Sequence, residues 1–161
     1  MYDRILLPTD GSIGMLNAIT HCFHQARLND AAVHALYVVD LRAYVMLPDE
    51  HQDRVKQVLI EEGTAALEHL EDRTGEEIDI ETEIREGVPH EEILEYAEEN
   101  DIDLVVMGTH GRTGEKKRIV GSVAEEVVRA AEMPVLTARV TETEIEELDE
   151  EIPEAQQRYI T

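Results

Sequence analysis

The part of the chain best suited to bind an anion is residues 108–122, which join an apolar run to a helix-like pattern. Three glycines lie within seven positions there, and glycine lets a backbone turn with positive φ and present several N–H groups to one phosphate. The segment also carries four of the chain's 14 basic residues: Arg112, Lys116, Lys117 and Arg118. In a chain of net charge −23, that concentration favours an anionic ligand. The alternative is a tight strand-to-helix crossing whose basic side chains pair with surface acids.

A predicted helix N-terminus lies beside the same segment, at Gly121 and Ser122. The unpaired N–H groups and the dipole of such a terminus favour anions. Ser122 and Glu125 have the spacing of a capping box. The glycine spacing matches neither G-x-x-x-x-G-K-[ST] nor G-x-G-x-x-G, which disfavours a P-loop ATPase and a standard dinucleotide site.

Asp10 is a second candidate, because it follows the first strand-like run directly. A carboxylate there can accept bonds from ribose hydroxyls or bind Mg²⁺ through water. The alternative is a helix cap just before Ser12.

His110 could donate to a phosphate, but no second group in the sequence supports a catalytic role for it. Tyr44 and Met46 could either cover a base or cap the core.

Short apolar runs alternate with longer segments of helical period, an order typical of a parallel α/β sheet. The pattern predicts strands at residues 5–7, 33–39, 78–84, 104–107 and 134–140. It predicts helices at residues 12–28, 55–75, 89–100 and 122–131, the second with its apolar face interrupted at Glu62 and Gly63. The third strand alternates apolar and acidic residues and is predicted at a sheet edge, whereas the unbroken apolar run of the fourth predicts a central strand. Right-handed crossovers would give a doubly wound open sheet.

The composition limits the class of protein. A length of 161 residues suits one domain, and the acidity extends along the whole chain, with eight acids and one Arg in residues 141–161. Such a surface repels phosphate backbones, so neither nucleic acid nor an anionic membrane is an expected partner. No apolar run approaches the roughly 20 residues of a membrane span, and we expect a cytoplasmic protein. The dense acidity is typical of proteins from salt-rich organisms, where strong salt screens self-repulsion.

The glycine spacing Gly108-x2-Gly111-x9-Gly121-Ser122 resembles the signature of the nucleotide-binding branch of the universal stress protein family. The opening at residues 5–12, the stretch at 103–112 and the closing at 134–136 are also similar to that family. The resemblance covers residues 2–140, so we expect a family domain at 1–140 and an acidic tail at 141–161. The chain departs from the pattern at Glu115, where an apolar residue is common, in its acidity and in its tail.

The resemblance implies a five-stranded parallel sheet of the adenine-nucleotide alpha hydrolase-like type, with strand order 3-2-1-4-5. It implies ATP with Mg²⁺ or Mn²⁺ in the cleft between the first and fourth strands. Asp10 would lie near the ribose or the metal, the backbone of Val39 would contact the adenine edge, and the glycines would hold the phosphates. The implied nucleotide-binding residues are Pro8, Thr9, Asp10, Val39, Gly108, Gly111, Arg112, Gly121, Ser122 and Val123.

The implied function is a nucleotide-dependent stress-response regulator with at most slow ATP hydrolysis. Binding of AMP or cyclic AMP is an alternative, because glycine spacing does not specify base or phosphate number. Another is a non-enzymatic dimeric interaction protein whose nucleotide loop is vestigial. We also expect a homodimer formed along the last strand, since an unpaired strand edge invites pairing.

Overall fold

The computed structural model describes residues 1–109 and 121–139. Within them, five parallel strands form one sheet in the order β3-β2-β1-β4-β5, which confirms the predicted fold class. The strands are β1 (Arg4–Thr9), β2 (Ala32–Val39), β3 (Ile80–Glu86), β4 (Leu104–Gly108) and β5 (Val135–Ala138). The helices are α1 (Leu16–Asn29), α2 (Asp49–Thr74), α3 (Pro89–Glu99) and α4 (Ser122–Ala130). The predicted edge positions of the third and last strands are both confirmed.

The core lies on both faces of the sheet, and β1 passes through its centre. Ile5, Leu6 and Leu7 have no exposed surface. Ile5 and Leu7 belong to the apolar cluster beneath α1 and α2, whereas Leu6 belongs to the cluster beneath α3 and α4. Successive side chains of a strand point to opposite faces, so an unbroken apolar run serves both clusters at once. Cys22 is buried in the first cluster, and burial raises the pKa of its thiol to about 12.

The predicted start of the first helix and the predicted cap of the fourth differ from the structure, whereas the predicted start of the fourth helix at Ser122 is confirmed. The first helix begins at Leu16 rather than Ser12, because a 3₁₀ turn at Ile13–Met15 precedes it. The capping box at Ser122 is also wrong, since Gly121 is the N-cap and Ser122 is already helical. The Glu125 carboxylate instead accepts a 2.8 Å bond from Arg129 one turn later. The Glu125 side chain is therefore used in an ion pair along the helix, and α4 begins without a side-chain cap.

The helix α2 runs without a break through the predicted interruption at Gly63. Gly63 is buried against the ring of Tyr37 on β2, and a Cβ at this position would lie 2.5 Å from Tyr37 Cδ1. The glycine thus allows the helix backbone to approach the aromatic ring closely. Tertiary packing, rather than a turn, explains this residue.

We predict that Gly63→Ala destabilises the protein by about 1–3 kcal/mol, because the added methyl group overpacks the Tyr37 ring. Helix propensity alone predicts the opposite sign, a gain of about 1 kcal/mol. Urea unfolding in molar salt measures the difference. Thr64→Ala is the matched control, since Thr64 is exposed and its hydroxyl bonds only the Ile60 carbonyl of its own helix. A Gly63→Ala protein as stable as wild type would contradict the packing argument.

A buried polar cluster lies between β2, β3 and α3. His34 is 4% exposed, and its Nδ1 lies 2.9 Å from the Tyr96 hydroxyl and 3.9 Å from a carboxylate oxygen of Glu81. The Arg85 guanidinium lies 4.8 Å from the centroid of the Tyr96 ring. Burial lowers the pKa of the His34 imidazole, and the Glu81 carboxylate opposes that shift. The imidazole is therefore neutral in the native state near pH 7.

We predict that the free energy of unfolding falls as pH decreases below about 6.5, the usual pKa of histidine in an unfolded chain. The unfolded chain protonates His34 at a higher pH than the folded protein, so protonation favours unfolding. Denaturant titrations between pH 7.5 and 5 measure the slope. His34→Asn, which keeps a hydrogen-bonding group near Tyr96, should make the slope shallower, with His24→Asn on the surface as control. Identical slopes in wild type and His34→Asn would refute this assignment.

Candidate functional site

The carboxyl ends of β1 and β4 lie side by side at the centre of the sheet. Their register pairs Ile5 with Leu104 and Leu6 with Val105, so Thr9 and Gly108 are at the same height. The chain crosses from β1 to β2 on one side and from β4 to β5 on the other. This is the topological switch point, where open α/β sheets bind ligands.

The turn after β1 is held by its own side chains. The Gly11 N–H donates to Thr9 Oγ1 at 3.1 Å, and the Ser12 N–H donates to Asp10 Oδ1 at 2.9 Å. Gly11 has φ +74°, a conformation that favours glycine, and a Cβ there would lie 3.3 Å from Ala66 Cβ on α2. Asp10 therefore stabilises a local turn and is not the cap of α1, whose N-cap is Met15.

The other wall of the cleft is formed where β4 ends and α4 begins. Gly108 is buried and pairs with Ala138 of β5. The Thr109 N–H donates to the Ala138 carbonyl at 3.0 Å, and the Thr109 carbonyl accepts the N–H of Gly121. These bonds place the first turn of α4 at the carboxyl end of β4, where its N–H groups can face an anion.

The predicted phosphate residues at this wall are only partly described. Ser122 is exposed, whereas Gly121 and Val123 are partly buried. Gly111 and Arg112 lie outside the described residues, as do His110, Gly114 and the basic residues 116–118. The acidic tail and the predicted end of the last strand at residue 140 also lie outside them.

The backbone of Val39, which was predicted to contact the adenine edge, pairs with β3. Pro8 and Thr9 are buried at the end of β1, and Val39 ends β2. The Val39 carbonyl accepts the Gly87 N–H at 3.1 Å, so its polar groups face β3. Backbone groups of alternate residues face opposite neighbours, and Val38 therefore directs its carbonyl toward the β1 side. Strand parity in the sequence, together with the strand order, is the signal that predicts which backbone groups of β2 face β1.

The loop after β2 contains Met46, for which the sequence left two roles open: covering a base or capping the core. Met46 is 91% exposed, so it does not cap the core. The loop is ordered by a side chain of α2, because Gln52 Nε2 donates to the carbonyls of Val45 and Leu47 at 3.3 Å and 2.8 Å. It follows β2 at the same edge of the sheet as the cleft.

Comparison with known proteins agrees with this architecture. The model of the universal stress protein family matches residues 1–139. The chain belongs to the universal stress protein family. It is 44% identical over 142 residues to universal stress protein MJ0531 of Methanocaldococcus jannaschii, covering 86% of this chain and 83% of that protein.

Solved structures of universal stress proteins share the fold. The structure of MJ0577 from the same organism has a TM-score of 0.79 and 32% identity, covering 88% of this chain and 98% of that one. A universal stress protein solved in complex with cAMP has a TM-score of 0.65 and 25% identity, covering 87% and 98% of the two chains. Nucleotide binding is therefore known in a relative of the same fold.

Neither a membrane-spanning helix nor a cluster of metal-ligating side chains occurs in the residues that the structure describes. None of the helices in residues 1–109 and 121–139 has the length and apolar character that a membrane span needs. In the same ranges, no three His, Cys, Asp or Glu side chains come together as a protein-built metal site would require.

Proposed function

We propose that this universal stress protein binds ATP, with Mg²⁺ or Mn²⁺, at the carboxyl edge of β1 and β4, and that it acts as a cytoplasmic stress-response regulator. The observation that carries the proposal is the arrangement at the switch point, where the Thr9–Ser12 turn and the start of α4 border one cleft. The relative in complex with cAMP supports an adenine nucleotide as the ligand class. Hydrolysis, if any, is slow, because the described cleft offers no paired general acid and base.

The two walls supply different parts of the proposed site. The first turn of α4, at Gly121, Ser122 and Val123, offers N–H groups to the phosphates, and Gly108, Gly111 and Arg112 complete that side. Pro8 and Thr9 form the floor. We assign the contact with the adenine edge to the backbone of Val38 in place of Val39.

The described residues fit a metal ion that arrives with the nucleotide. Asp10 is the acid of the Thr9–Ser12 turn, and Mg²⁺ typically uses one or two carboxylates together with phosphate oxygens and water. Asp10 would hold the ion from the protein side, and the ion would neutralise phosphate charge. The repulsion between a nucleotide and an acidic protein makes such neutralisation important.

We predict that ATP at 100 times its Kd raises the free energy of unfolding by about 2.7 kcal/mol, measured by thermal shift and calorimetry in molar salt with Mg²⁺. Gly121→Val should abolish binding, because the added side chain covers the N–H groups at the start of α4. Gly121 has φ −68° and ψ 158°, which valine also adopts, so the variant should fold.

Ala130→Val, at the exposed end of the same helix, is the matched control and should bind as wild type does. Parallel titrations with ADP, AMP and cyclic AMP identify the preferred ligand. A folded wild-type protein that binds none of these nucleotides would refute the proposal, and binding that survives Gly121→Val would place the ligand elsewhere.

We further propose a homodimer formed along β5. The two sheet edges differ, because β3 carries three glutamates and an arginine whereas β5 is the uncharged sequence Val-Leu-Thr-Ala. Charged side chains protect an edge from pairing, so β5 is the edge suited to meet a second copy. Within the described residues, no strand pairs with the outer side of β5.

We predict that light scattering in molar salt gives twice the 18.2 kDa mass of one chain. Thr137→Pro should give monomers, because proline removes an N–H donor. The carbonyls of Pro134 and Ala138 accept bonds from β4, so by alternation the Thr137 N–H faces outward and its loss spares the β4–β5 pairing. Thr137→Val, which keeps that N–H, is the control. A monomeric wild-type protein would disprove the dimer.

A further inference from the structure

The side chain of Ser12 is unexplained by the fold. Its hydroxyl oxygen is buried and has no hydrogen-bond partner among the described residues. The backbone of the same residue is fully used in the turn, since its N–H donates to Asp10 Oδ1 and its carbonyl accepts the Met15 N–H at 3.1 Å. Alanine could make both backbone bonds equally well. The turn therefore requires the backbone of this residue but not its hydroxyl.

A buried hydroxyl without a partner destabilises the protein that contains it, because the hydroxyl has lost its bonds to water. Other hydroxyls near the cleft and on the adjoining helix do have partners. Thr9 Oγ1 accepts the Gly11 N–H, and Thr20 Oγ1 donates to the Leu16 carbonyl at 3.0 Å. Ser12 differs from these residues, and it lies two positions after Asp10 at the carboxyl edge of β1.

We infer that the Ser12 hydroxyl is a ligand-binding group that hydrogen-bonds an oxygen of the bound nucleotide. The inference rests on the proposed function and adds a residue to the site. Ser12 as a whole is partly exposed although its oxygen is covered. Rotation about its Cα–Cβ bond moves the hydroxyl between staggered positions without disturbing the backbone bonds of the turn. The bond to the ligand offsets the loss of the hydroxyl's bonds to water.

The test is Ser12→Ala, studied in the full chain in molar salt with Mg²⁺ and with ATP, AMP and adenosine as probes. Two results are expected together. The ligand-free variant should unfold at the same temperature as wild type or higher, because an unpartnered buried group has been removed. Its Kd for ATP should rise about tenfold, the usual effect of losing one hydrogen bond to a ligand. The probe whose affinity changes identifies the part of the nucleotide that is contacted.

Thr20→Ala is the matched control, because it removes a hydroxyl that bonds its own helix and should leave the Kd unchanged. Equal Kd values for wild type and Ser12→Ala would overturn the inference, and so would a ligand-free Ser12→Ala protein less stable than wild type, because the hydroxyl would then have a partner within the protein. Both outcomes are distinct from failure of the proposed function, in which folded wild-type protein binds no nucleotide. If Gly121→Val abolishes binding while Ser12→Ala does not affect it, only the role of Ser12 is rejected.

Discussion

The burial of β1 on both faces is the constraint on which the rest of the structure depends. Ile5, Leu6 and Leu7 have no exposed surface, so helices must cover the sheet from both sides. Strands β2 and β4 pair with the two sides of β1. A strand enclosed in this way can meet a ligand only at its ends. The carboxyl end is the one followed by a tight turn, and the position of the cleft is thus a consequence of how the core is built.

Much of this arrangement could be predicted from residue order alone. The unbroken apolar runs of β1 and β4 indicated central strands, and the alternating acids of β3 indicated an edge, because these patterns depend only on which faces are buried. The errors concern residues whose role depends on a partner distant in sequence. Gly63 was not recognised as a packing residue because its partner is Tyr37. The direction of the Val39 carbonyl could not be predicted either, because it depends on the parity of pairing with β3.

The electrostatics of the chain restrict how it could attract a phosphate. Nine basic residues lie in the described ranges, and six of them form ion pairs: Arg4, Arg27, Arg42, Lys56, Arg85 and Arg129. Exposed pairs of this kind add little stability, but they neutralise cations that could otherwise meet a ligand. Attraction for an anion therefore depends on backbone N–H groups and on the four basic residues between positions 112 and 118. A divalent ion would reinforce it.

The contact between Gly63 and Tyr37 has a mechanical consequence for α2. Tyr37 lies two residues before the end of β2, whereas 14 residues of α2 precede Gly63. At about 1.5 Å per helical residue and 3.3 Å per strand residue, the first turns of α2 extend roughly 14 Å beyond the sheet. Val58 in this outer half is 47% exposed, while Leu67 and Leu70 in the inner half are buried. The inner half of α2 is thus fixed by buried side chains, whereas its outer half is held to the sheet by the partly buried Leu59 and Ile60 and by the ion pair of Lys56 with Glu86 of β3.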